Sequence, residues 1–107
     1  MFVDQEGMDP NFSAIAAVAD DRALVTVTGE VDMSTADAMF RAATSDDVAA
    51  ATLDLRGVTF FDSAAIHALL QLAEFYGERL RVLPSTQVRR VLEISGLAAQ
   101  PWLVIER

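Results

Sequence analysis

Residues 51 to 70 decide the fold and read Ala-Thr-Leu-Asp-Leu-Arg-Gly-Val-Thr-Phe-Phe-Asp-Ser-Ala-Ala-Ile-His-Ala-Leu-Leu. A strand is predicted over 51–55, because Leu53 and Leu55 fall on one face of an extended chain. Gly57 is expected to break this strand. A helix follows, with an apolar stripe at helical spacing formed by Ile66, Leu69, Leu70 and Ala73.

The start of that helix carries two polar residues, Asp62 and Ser63, and both are good N-cap residues. Ser63 has two interpretations from the residues alone. Its hydroxyl either caps the helix or stays available for modification, since free N–H groups and the positive end of the helix dipole suit a phosphate.

The rest of the chain alternates between strands and helices. Residues 12–18 and 23–31 predict an antiparallel hairpin that turns at Asp20-Asp21. Ser34 to Asp37 fits a capping box, with a hydroxyl followed by an acid three positions later, so a first helix is predicted after it.

The second half of the chain continues this alternation. The central helix should end near Gly77, and a strand is predicted over 79–83. A third helix, capped by Ser85 and stopped by Gly96, precedes a last strand over 102–105.

These elements predict an α/β fold in a single domain over residues 11–107, after a flexible N-terminal extension over 1–10. Helices that connect successive strands favour parallel pairing. We therefore expect a mixed, mostly parallel sheet of about five strands with about three helices, and the first strand antiparallel at one side.

The composition fits one domain with a substantial core, because 52% of the 107 residues are hydrophobic. No apolar run approaches the roughly 20 residues that span a bilayer, and no basic-then-apolar signal peptide is found at the N-terminus. The chain has no cysteine, so it forms no disulfide. We expect a cytoplasmic protein that does not bind membranes.

The charge is strongly acidic and unevenly distributed. The net charge of -8 argues against nucleic-acid binding, which requires a basic face. Residues 1–62 carry twelve Asp or Glu and three Arg, whereas residues 63–107 carry four Glu and five Arg. The acidic half could attract a basic partner, or it could simply be a solvated surface.

The residues offer little for catalysis or metal binding. The chain has one His, no Lys and no Gly-rich phosphate loop, and its sequence suggests no nucleophile–base–acid set. Glu30 and Asp32 would bind a metal only weakly without further ligands. We expect no enzymatic activity, no cofactor and no metal.

Three segments together resemble STAS domains, the anti-sigma-factor antagonist family. They are Gly29-Glu30-Val31-Asp32, the stretch from Asp54 to Ser63, and the stretch from Val88 to Leu97. They occur in the family's order and span most of residues 12–106. The chain differs just after Ser63, where Ala64 and Ala65 replace the more common Ser or Thr followed by Gly.

The resemblance implies a phosphorylation site and a partner surface. STAS domains of this kind are phosphorylated on the Ser or Thr directly after the Asp of the motif, which is Ser63 here. The implied partner surface consists of Asp32, Asp62, Ser63, Ala64, Ala65 and His67. His67 lies four residues after Ser63 on the same helix face, so it either contacts a phosphate on Ser63 or is exposed and inert.

The resemblance also implies a function, namely an anti-sigma factor antagonist. Such a protein binds an anti-sigma factor with serine kinase activity and releases a sigma factor, until phosphorylation of Ser63 switches it off. One alternative is a STAS subunit of a lipid-trafficking ABC system or a stressosome-like complex, without this switch. Another is a small enzyme or ligand-binding domain. The family often ends with a further helix. Without it, the sheet edge beside the last strand would be uncovered, which is compatible with a weak homodimer.

Overall fold

The structure is a computed structural model that describes residues 11–104. In chain order its elements are β1 (Phe12–Ala19), β2 (Arg22–Val31), α1 (Ala36–Thr44), β3 (Ala50–Phe61), α2 (Ser63–Tyr76), a 3-10 helix (Gly77–Arg79), β4 (Leu80–Pro84) and α3 (Thr86–Ile94). The extension expected over residues 1–10 lies outside the described residues, and so does Ile105 of the expected last strand.

The four strands form one sheet in the order β1-β2-β3-β4. β1 pairs with β2 in the antiparallel direction, and the other neighbours pair in parallel. The predicted mixed, mostly parallel α/β architecture is confirmed. The fifth strand is reduced to a single bridge between Leu103 and Val82, in which the Val82 N–H donates to the Trp102 carbonyl at 2.8 Å.

The β1–β2 hairpin follows from its sequence pattern. The turn residues Asp20 and Asp21 have φ angles of +53° and +61°, a conformation that Asp tolerates and that matches the twist of a tight hairpin. Along β2, Val25 and Val27 are fully buried, while the intervening Thr26 is exposed. The strict alternation therefore places one face of the strand in the core.

β3 departs from the prediction because Gly57 lies inside the strand. Two register shifts against β2 each give β3 an extra residue, so it is twelve residues long. The buried positions consequently change from every second to every third residue at Leu55, Val58 and Phe61. A Cβ at Gly57 would lie 2.8 Å from Thr28 Cγ2, so a larger residue in this bulged segment would force the Thr28 side chain to move.

β4 pairs with only the first half of β3. The register runs from Ala51 to Leu55, which is opposite Pro84 at the end of β4. The chain then turns directly into α3, which packs against both β3 and β4. The second half of β3, residues 56–61, therefore has β2 as its strand neighbour within the described chain.

The helices bury their apolar sides against the sheet, but α2 does so with a different stripe from the one predicted. The buried residues of α2 are Ala65, Ala68, Leu69, Leu72 and Tyr76. Leu70 is 37% exposed, and Ile66 and Ala73 are half-buried. Since most residues of α2 are apolar, the sequence does not determine which face of the helix is buried.

α3 confirms both of its predicted ends. The Val88 N–H donates to Ser85 Oγ at 3.1 Å, which caps the first turn. Gly96 has a φ of +76° after the last turn. The Leu97 N–H then donates to the Leu92 carbonyl at 2.7 Å, as in a Schellman motif.

Candidate functional site

The carboxyl ends of β2 and β3 lie side by side and bring two acids to one edge of the sheet. Val31 is in register with Phe61, and the Asp62 N–H donates to the Val31 carbonyl at 3.3 Å. Asp32 and Asp62 are the next residues of the two parallel strands, so both lie at this edge. The structure thus brings together two segments that are thirty residues apart in the chain.

Asp62 is the N-cap of α2. Its Oδ1 accepts the Ala65 N–H at 3.0 Å, while its backbone carbonyl accepts the Ile66 N–H at 3.0 Å. Ser63 is therefore the first helical residue, and its interpretation as the cap is wrong. A carboxylate caps well at the positive end of a helix dipole, which leaves the neighbouring hydroxyl unused.

The Ser63 side chain is exposed at the first position of α2. Its hydroxyl makes no hydrogen bond to any residue in the range 11–104. The first N–H groups of a helix have no intrahelical partner, so this position suits a group that carries negative charge. An exposed, uncommitted hydroxyl at such a position is accessible to a modifying enzyme.

In contrast to Ser63, the polar side chains of the loop between β2 and α1 form hydrogen bonds with one another. Asp32 Oδ1 accepts the Ser34 hydroxyl at 2.6 Å and the Ser34 N–H at 2.8 Å. Asp37 instead forms an ion pair with Arg41 at 3.1 Å. The predicted capping box is therefore wrong, because Asp32 engages the hydroxyl that would have capped α1.

Thr35 fixes this loop to the end of β2, a role that the sequence did not indicate. Its hydroxyl accepts the Asp32 N–H at 2.9 Å and donates to the Glu30 carbonyl at 2.9 Å. Thr35 is 3% exposed and is the buried polar residue of the described chain. It lies at the N-cap position without making a capping bond, so its sequence signal resembled that of an ordinary cap.

The hydrogen bonds of the loop also affect acidity. The Ser34 hydroxyl, and next the Ser34 N–H, stabilise the charged carboxylate and hold the pKa of Asp32 below its ordinary value of 3.8. Asp32 is therefore ionised at neutral pH and contributes negative charge to the shared edge.

The remaining predicted site residues follow Ser63 along α2 and differ in exposure. Ala64 is half-buried and His67 is exposed, so both are accessible from the edge. Ala65 is fully buried in the core. Its side chain cannot contact a partner, so the structure removes Ala65 from the predicted partner surface.

Two exposed apolar residues lie at the same edge and were missed by the sequence interpretation. Met33, directly after Asp32, is 85% exposed, and Phe60, in register with Glu30, is 44% exposed. Exposed large apolar side chains beside charged groups are typical of protein contact sites. For Met33 the available signal was an apolar residue between two polar ones, whereas Phe60 gave no such signal because a second Phe follows it.

Residues 11–104 contain neither a membrane-spanning helix nor a cluster of metal ligands. No helix there is long and apolar enough to cross a bilayer. No group of three or more His, Asp or Glu side chains in the same range could hold a metal ion.

The family of this chain follows from its sequence match. A family model described as "Mlab, STAS domain" matches residues 15–105. The chain belongs to the STAS domain family. No curated protein matches it at a significant level.

Solved structures of anti-sigma factor antagonists share the fold of this chain. An anti-sigma factor antagonist from Mycobacterium paratuberculosis is 27% identical, with a TM-score of 0.75 over 89% of this chain and 86% of that one. The anti-sigma factor antagonist SpoIIAA in its unphosphorylated form is 22% identical, with a TM-score of 0.67 over 90% and 88% of the two chains. The Bacillus cell fate determinant SpoIIAA in the phosphorylated form is 21% identical, with a TM-score of 0.64 over 90% and 91%.

Proposed function

We propose that this STAS domain is an anti-sigma factor antagonist that binds an anti-sigma factor with serine kinase activity. Binding releases a sigma factor, and phosphorylation of Ser63 ends the interaction. The observation that carries the proposal is the exposed Ser63 hydroxyl, which remains uncommitted because Asp62 caps the helix. The similarity to the mycobacterial anti-sigma factor antagonist supports an anti-sigma factor as the partner.

The partner surface in this proposal is the shared edge formed by Asp32, Met33, Phe60, Asp62 and Ser63, which we call the strand-end surface. It combines two exposed apolar side chains with two acids and a hydroxyl. Apolar anchors surrounded by polar groups are characteristic of interfaces whose affinity comes from a few residues. Ala64 and His67 extend this surface along α2.

Phosphorylation would switch the surface by electrostatics. A phosphoryl group brings about two negative charges, and here it would arrive next to the Asp62 carboxylate. A complex that buried these charges would pay for their desolvation and mutual repulsion, whereas the free protein keeps them solvated. The partner therefore binds the unmodified form more tightly, and this difference in affinity drives the switch.

The proposal also implies a cell compartment and a functional class for the protein. We place it in the bacterial cytoplasm as a binding protein that regulates transcription, because its partner is a kinase of that compartment. Its net charge of -8 opposes binding to nucleic acid or to an anionic membrane.

Capture of the partner from the source cell tests this function. We expect Ser63→Ala to retain the partner and Ser63→Asp to weaken its binding about 100-fold or more, a loss of about 2.7 kcal/mol. Ser45→Asp is a matched control, since Ser45 is also exposed but lies at the end of α1. Equal capture by Ser63→Asp and the wild-type protein would rule out the switch.

A second candidate is a STAS subunit of another assembly, such as a lipid-trafficking ABC system or a stressosome-like complex, without phosphorylation. One observation favours it, namely that the matching family model carries the description "Mlab, STAS domain" and not that of an anti-sigma factor antagonist. The capture experiment separates the two candidates. A partner that is not a kinase and that binds Ser63→Asp normally supports the second one.

A further inference from the structure

A groove of about 770 Å³ runs along α2, beginning at His67, where the extension of the strand-end surface ends. Its apolar lining is formed by Leu70, Ala73, Leu80, Pro101 and Trp102. Leu70 is 37% exposed although it is a large apolar residue within a helix. Apolar concavities of this size on a small domain are typical of binding sites.

The rim of the groove is acidic. Glu74 and Glu78 both line it and both are exposed, and none of its lining residues is Lys or Arg. A ligand that fits must therefore present apolar groups to the floor and positive charge to the rim.

The dimensions of the groove favour a helical ligand. Its lining extends along α2 and the following turn from His67 to Glu78, a rise of about 16 Å at 1.5 Å per residue. About three turns of a second helix would match this length. A helix in a groove presents its apolar residues at spacings of three and four, which suits a continuous apolar floor.

The same charges argue against two other occupants. A second copy of this chain, related by two-fold symmetry, would bring the same acidic rims together. The segment Met1–Pro10 carries three acids and no base, so it has the same sign of charge as the rim. Neither occupant provides the positive charge that the rim would attract.

We propose that this groove binds an amphipathic helix of a partner protein, with a row of apolar residues flanked by Lys or Arg. This second docking surface does not include Ser63 and meets the first surface only at His67. Because α2 carries Ser63 at its start and the groove farther along, one partner could contact both.

Two synthetic peptides of 14 residues test the proposal. One is a Leu/Lys amphipathic helix, and the other has Glu in place of every Lys. Trp102 is the only tryptophan of the chain and lines the groove, so its fluorescence reports binding. At about 0.15 M salt we expect saturable binding of the Leu/Lys peptide and at least about tenfold weaker binding of the Leu/Glu peptide.

Variants locate the binding to the groove. Glu74→Lys with Glu78→Lys should reverse the preference between the peptides. The pair Asp47→Lys with Glu93→Lys changes the net charge equally at exposed residues that do not line the groove, so it should retain the preference.

Two substitutions of apolar residues by Gln complete the test. Leu70→Gln should weaken binding of the Leu/Lys peptide about fivefold. Ile94→Gln changes a residue that is 82% exposed outside the groove, and should have no effect. Thermal melts verify that each variant is folded.

Three outcomes would overturn the proposal. In the first, both charge pairs alter binding equally, which would indicate non-specific attraction to an acidic protein. In the second, Leu70→Gln binds as well as the wild-type protein. In the third, sedimentation shows a dimer that Leu70→Gln dissociates, which would identify a second copy as the occupant.

Discussion

The two junctions that lead from a parallel strand into a helix start alike and end differently. β2 and β3 each end in a buried apolar residue followed by an Asp, and the two ends are in register. After β2, the carboxylate of Asp32 binds Ser34 within its own loop. After β3, the carboxylate of Asp62 caps α2 directly.

This difference shows what determines whether a hydroxyl is available. In the first junction both hydroxyls are committed, since Ser34 donates to Asp32 and Thr35 donates to Glu30. In the second junction the acid satisfies the backbone and Ser63 remains uncommitted. The same residue types thus build a closed loop at one strand end and leave an accessible hydroxyl at the other.

The sharpest test of the comparison is phosphoryl transfer. When the captured kinase and ATP are added, we expect Ser63→Ala to abolish labelling of the protein and Ser34→Ala to leave it unchanged. The reason is that the Ser34 hydroxyl is held by Asp32 at 2.6 Å. Mass spectrometry of the labelled protein measures this. Persistent labelling of Ser63→Ala would show that Ser63 is not the hydroxyl that the kinase modifies, which would contradict the comparison of the two junctions.

The next effect concerns the stability of the first junction. Thr35→Val should lower the free energy of unfolding by about 2 kcal/mol, because it leaves the partly buried Asp32 N–H without its acceptor and the Glu30 carbonyl without its donor. Thr59→Val, at an exposed position of β3, is the matched control and should change it by less than about 0.5 kcal/mol. Urea unfolding measures both, and equal losses would mean that Thr35 does not fix the loop.

Removal of the second carboxylate should have a smaller effect. Asp62→Ala removes the cap of α2 and should lower the free energy of unfolding by about 1 kcal/mol. Asp62→Asn keeps an oxygen acceptor and should lose only a few tenths of a kcal/mol. If both variants were equally destabilised in urea, the charge of Asp62 and not its capping bond would be the important property.

The smallest effect is a change in titration. In the folded protein the pKa of Asp32 is lowered by Ser34. The stabilisation from Asp32 is therefore present above the ordinary pKa of 3.8 and is lost as the pH falls through the lower value of the folded state. Ser34→Ala should move the pKa of Asp32 upwards in an NMR titration of its carboxyl carbon. An unchanged pKa would show that Ser34 does not stabilise the carboxylate.

The fold was predictable from the sequence where apolar residues follow a single repeat or where capping residues mark the ends of a helix. The hairpin was predictable because Val25 and Val27 alternate with Thr26 and Thr28, and α3 because Ser85 and Gly96 mark its ends. The phase of α2 was not predictable, because nearly all of its residues are apolar. Gly57 looked like a break because glycine usually interrupts strands, but here it permits a bulge beside Thr28.

The candidate site was predictable in position but not in its internal bonding. The resemblance identified Asp62 and Ser63 at the start of α2. Which of the two caps the helix depends on side-chain geometry that the sequence does not encode locally. The buried role of Thr35 depends on Glu30, five residues earlier, and the exposure of Phe60 follows a register shift between β2 and β3 that the sequence does not indicate.

The short length of β4 has a consequence for solubility. Beyond Pro84, the side of β3 that β4 would have paired carries backbone donors and acceptors without a strand partner in the described chain. Such rows can recruit strands from other molecules and start aggregation. α3 begins where β4 stops and packs against β3. A helix packed against β3 in place of a longer β4 therefore reduces the opportunity for intermolecular β-pairing.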